Sequence, residues 1–132
     1  MEALIKTALN SVWTQICEPR ELRTPDSSTG KSFSVVSSDQ SSVRILTNRS
    51  SQICIQREAF LVALLYLVTH QHNQHTPCEI RTNQLAKDAG PLCKATRAVN
   101  SGTRVIGYIV PMLATTGLVS VRSSRPNAVW LA

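Results

Sequence analysis

Apolar positions along the chain fall into a few distinct rhythms. From residue 3 to 17, Leu4, Ile5, Ala8, Leu9, Val12, Trp13 and Ile16 recur at helical spacing, which predicts an amphipathic helix that Pro19 ends. Residues 18–30 are polar and carry Pro19, Pro25 and Gly30, the composition of a linker or loop. In the serine-rich stretch 31–56, Phe33, Val35, Val43, Ile45, Ile53 and Ile55 alternate with polar residues. KSFSVV and VRILTN around an SSDQSS turn read as a β-hairpin and QICIQ as a short strand; a disordered arm is the alternative. Residues 57–72 are apolar nearly all round through Phe60, Leu61, Leu64, Leu65, Leu67 and Val68, as expected of the central core helix.

After the polar HNQHTP loop, residues 78–80 (CEI) suggest one short strand. Thr82 then suits an N-cap, followed by a short helix over NQLAKDAG with Leu85, Ala86 and Ala89 inward and Gly90 as its C′ residue. Residues 91–101, PLCKATRAVNS, form a basic connection to which the pattern assigns no conformation. Ser101 suits an N-cap for a helix over 102–115, where Val105, Ile106, Ile109, Val110 and Leu113 share one face and Gly117 closes the element. Pro111 inside it predicts a kink, or a helix that stops near Val110. LVSVR, SSRPN and AVWLA complete the chain as a hairpin with Arg122 and Arg125 near its turn.

This order of core helix, short strand, small helix, second helix and basic-tipped hairpin is the layout of a winged helix-turn-helix. The expected fold is therefore α+β, with residues 1–56 an N-terminal helix and hairpin arm and residues 57–132 a winged-helix domain. In such domains one helix buries one face and offers the other to the DNA major groove, while the hairpin, or wing, reaches the neighbouring phosphates.

Charge sharpens this expectation. The chain of 132 residues has a net charge of +6; residues 1–88 carry nine Lys or Arg against eight Asp or Glu, whereas residues 89–132 carry five cations and no acid. A segment with one sign of charge favours a polyanion partner. Thr103, Arg104 and Tyr108 are the candidates for the groove, with Gly107 allowing close approach. Lys94, Arg97, Arg122 and Arg125 are the candidates for phosphate, and a solvated basic face is the plain alternative. Trp13 and the N-terminal helix either pack in the core or form a homodimer interface.

Other chemistry finds little footing. The eight acids form no paired motif, and GxSxG, HExxH and a complete P-loop are absent, STGKS lacking the upstream glycine. No enzyme activity and no cofactor are expected. His70, His72, His75 and Cys78 make one cluster without a second Cys/His pair, so no metal is expected, and His70 suits the C-terminus of the core helix instead. The four cysteines contain no CxxC and are expected to be reduced and mostly buried. No apolar run reaches the length of a membrane span, and the N-terminus makes a poor secretion signal, so a cytoplasmic, membrane-free protein is expected.

REAFLVALLYLVTH, CEIRTNQLAKDAG and SGTRVIGYIVPMLATTGLVSV together resemble the first winged-helix domain of the RepA initiators of FII-type plasmid replicons. The likeness covers about residues 57–122. It implies double-stranded DNA binding at a plasmid origin to start replication. Such initiators carry a further basic region after this domain, so the chain is expected to be either a piece of a longer initiator or a shorter regulator. A transcriptional regulator and a winged helix used for protein–protein assembly are the competing functions.

Overall fold

The computed structural model describes residues 1–82, 87 and 89–132. Its first half holds helix α1 (Glu2–Ile16) and strands β1 (Glu21–Arg23), β2 (Ser32–Ser38), β3 (Ser42–Thr47) and β4 (Gln52–Gln56). The strands form an antiparallel meander in the order β1-β2-β3-β4. The alternation read from the sequence is real: Phe33, Val35, Val43, Ile45 and Ile55 point inward and are all buried. Asp39 shapes the β2–β3 turn by accepting hydrogen bonds from the backbone N–H groups of Ser41 and Ser42, both at 2.8 Å. β1 lies within the stretch expected to be a linker; its three residues are too few to show a period.

Helix α2 (Arg57–Thr69) follows β4 without a loop and sits at the centre, packing against α1, β4, helix α3 (Pro91–Ala98), helix α4 (Ile106–Ala114) and strand β7 (Ala128–Leu131). Strands β5 (Cys78–Glu79) and β6 (Val119–Arg122) pair antiparallel on either side of β7, giving a second sheet in the order β5-β7-β6. The molecule is thus mixed α+β. Buried residues from the arm, such as Trp13, Phe33 and Ile45, and from the later segment, such as Phe60, Leu64, Ile109 and Leu113, belong to one hydrophobic cluster.

Several expectations change. Trp13 is only 6 % exposed. Its ring meets Phe60 edge-on at 5.4 Å, its Nε1–H donates to the Asp39 carbonyl at 3.0 Å, and the Arg57 guanidinium lies 4.8 Å from its centroid. The tryptophan is therefore core, not a dimer surface. Residues 91–98 form a helix, with Gly90 as N-cap at φ −71° and Pro91 in the first turn, where a missing N–H does no harm. Gly90 is thus not the left-handed C′ residue expected. The helix predicted over 102–115 starts only at Ile106, because Ser101 (φ 56°) and Gly102 (φ 75°) are both left-handed and break helical geometry. α4 then runs through Pro111 to Ala114. The short helix expected over NQLAKDAG falls mostly on residues outside those described. Gly117, at φ 80°, occupies the left-handed position expected after α4. No helix among the described residues is long and apolar enough to cross a membrane.

Candidate nucleic-acid interface

The sequence IGYIVPMLA explains how α4 is used. Ile106, Ile109, Val110, Met112 and Leu113 are buried, and Gly107, Tyr108, Pro111 and Ala114 on the remaining face are half-buried. What covers that remaining face is the N-terminal arm. The Tyr108 ring meets Phe33 of β2 edge-on at 5.1 Å, and the Thr24 methyl lies 3.9 Å from where a Gly107 Cβ would stand. Pro111 and Ala114 share a cleft with residues 23–27. The face expected to enter a major groove is therefore occupied, and it carries no charged or amide side chain.

The loop between β1 and β2 reaches beyond α4 to the wing between β6 and β7. Asp26 Oδ2 accepts from Arg125 Nε at 2.9 Å, and the Ser27 N–H donates to the Ser123 carbonyl at 2.9 Å. Asp26 Oδ1 also accepts from the Ser28 hydroxyl and from the N–H groups of Ser28 and Thr29. These bonds, those of Ser28 foremost, hold the Asp26 carboxyl well below the usual carboxylate range.

The residues singled out for nucleic acid thus separate into groups. Arg97 cannot meet a phosphate: it is 6 % exposed on the inner face of α3, with Nη2 donating toward Cys93 Sγ at 3.6 Å. Tyr108 is packed against Phe33. Thr103 and Arg104 are exposed, but in the turn that joins α3 to α4 rather than on a helix. Lys94 is exposed on α3. On the wing, Arg122 is exposed with its Nε donating to the Pro126 carbonyl at 3.0 Å, and Arg125 is exposed while bridging to Asp26.

The turn bearing Thr103 and Arg104 is firmly mounted. Asn100, at its base, is buried. Its Oδ1 accepts from the Gln56 N–H at 2.7 Å and its Nδ2 donates to the Cys54 carbonyl at 3.1 Å, so one amide side chain pairs with β4 as a neighbouring strand would. The N–H groups of Gly102 and Thr103 donate to the carbonyls of Arg97 and Asn100, both at 3.0 Å.

Between the turn, the β1–β2 loop and the wing lies a cleft of about 260 Å³, whose lining includes Lys31, Arg104, Thr29, Thr82, Tyr108 and Asn127. Lys31 is a cation that sequence reasoning passed over. It lies in residues 1–88, where acids and bases nearly balance, and only the folding of the arm over α4 brings it into the same cleft as Arg104. No group of three or more metal-ligating side chains occurs among the described residues.

The fold and site define a mixed α+β protein with a loop-built basic surface. No protein-family model, curated protein or solved structure matches the chain.

Proposed function

We propose that the chain is a winged-helix protein that binds double-stranded DNA through the phosphate backbone. The observation that carries this reading is that four of the five cations in the acid-free segment 89–132, Lys94, Arg104, Arg122 and Arg125, are exposed, three of them in the wing and the turn before α4. The sheet order β5-β7-β6, with α4 leading directly into β6, supports the winged-helix assignment. In this reading the wing and the turn hold phosphates, and Thr103 and Arg104 are the side chains placed to touch a base edge. Initiation of plasmid replication at an origin is the setting that the RepA resemblance suggests, and a transcriptional regulator would use the same surface. Assembly with another protein is the second reading; it gains ground because the arm covers the outer face of α4 and so leaves no helix face free to enter a groove.

Titration of a random-sequence duplex at two salt concentrations tests the proposal. About four phosphate contacts give a log–log salt slope near about −3.6. Absence of duplex binding at low salt overturns the DNA reading and leaves protein assembly. Arg104→Ala that weakens a preferred sequence more than random DNA marks Arg104 as a base contact; an equal loss on both makes it a phosphate contact.

A further inference from the structure

We infer that the cleft between the β1–β2 loop and the α3–α4 turn is a seat for one phosphoryl group, held jointly by Lys31 and Arg104. The two residues are far apart in sequence, yet both line the same cleft of about 260 Å³. Among the described residues, neither side chain makes an ion pair or a hydrogen bond with the protein. Two cations that line one small cleft raise its positive potential, and an anion held there gains charge-assisted hydrogen bonds from both.

The rest of the lining fits the same ligand. Among the described residues, the one carboxylate that lines the cleft is Asp26, and its oxygens accept hydrogen bonds from Ser28 and Thr29 and pair with Arg125. Thr82 and Tyr108 supply hydroxyl groups, which can donate to phosphate oxygens. The site is also braced. The Lys31 N–H donates to Thr24 Oγ1 at 2.8 Å, closing the loop on itself, and the α3–α4 turn is fixed through Asn100. A phosphodiester of the DNA backbone and a free phosphate share this chemistry. The duplex-binding reading bears only on which of them fills the seat.

The experiment uses the full chain and its Lys31→Ala, Arg104→Ala and double variants. Each is titrated with inorganic phosphate at constant ionic strength while backbone amides are followed by NMR, and each is titrated with a random duplex across salt. The expected result with phosphate is a saturable shift confined to amides near the cleft, such as Thr29, Gly107 and Asn127, that chloride does not reproduce and either single variant abolishes. The expected result with the duplex is that the double variant reduces the salt slope by no more than about 0.9, one phosphate's worth, and loses less affinity than the product of the two single losses. A slope reduced by about 1.8 with multiplicative losses places the two side chains on separate phosphates and overturns the shared seat. Phosphate shifts without any change of slope assign the seat to free phosphate. Should the wild-type chain fail to bind duplex, the DNA reading falls by itself and the phosphate titration alone decides; no localised shift there overturns the proposal.

Discussion

At the scale of single residues, Asn100 ties two segments distant in sequence through one side chain. It satisfies one N–H and one C=O of β4 while being 3 % exposed. Replacing it with alanine leaves both groups without this partner at a part-buried site, and each loss costs about 1–2 kcal/mol. Asn100→Ala should therefore lower the unfolding free energy by about 2–4 kcal/mol in urea melts. A loss below about 0.5 kcal/mol would mean that water replaces the amide without penalty. Arg97 teaches a related lesson. As a letter in an acid-free segment it reads as a phosphate ligand, yet burial of its guanidinium beside Cys93 removes it from any surface.

At the scale of elements, the outer face of α4 makes its own prediction. Among the described residues, a methyl added at Gly107 would meet only the Thr24 methyl, at 3.9 Å, an ordinary contact. Because alanine favours the helix over glycine, Gly107→Ala should raise stability, by about 0.5 kcal/mol given its place in the first turn. A destabilised variant in thermal melts would show that the arm packs more tightly on α4 than the structure has it. The elements that were legible in the sequence are those whose buried face is apolar: α1, α2, the alternating β2, β3 and β4, the short β5 and the β6–β7 hairpin. α3 was not, because its inner face includes Thr96 and Arg97 beside Leu92 and Cys93, which breaks the apolar stripe. The start of α4 was misread because Ser101 and Gly102 look like a cap and a first turn, while their positive φ values make them a reversal of direction. For the site, local pattern identified the wing and turn cations. The coverage of α4 and the shared cleft of Lys31 and Arg104 depend on contacts between segments distant in sequence, which no local period encodes.

At the scale of the whole molecule, the Asp26–Arg125 bridge and the Ser27–Ser123 hydrogen bond join the first sheet's loop to the second sheet's wing. Asp26 and Asp39 both have carboxyl groups held below their ordinary range, chiefly by hydrogen bonds from Ser28 and Ser41 respectively. A depressed carboxyl contributes stability that is fully present above the unfolded-state value near about 4 and is lost as pH falls through the folded-state value. Stability should accordingly decline below about pH 4, and Asp26→Asn should flatten part of that decline. An unchanged acid profile in Asp26→Asn would show that the carboxylate contributes nothing to holding loop and wing together.

Asn100 has one more consequence at this scale. β4 is an edge of the four-stranded sheet, and an open edge invites a strand from another chain to add to it. By taking the Gln56 N–H and the Cys54 carbonyl for its own side chain, Asn100 denies a newcomer these two rungs of the ladder. The amide that mounts the basic turn thereby also takes up part of the sheet's β4 edge.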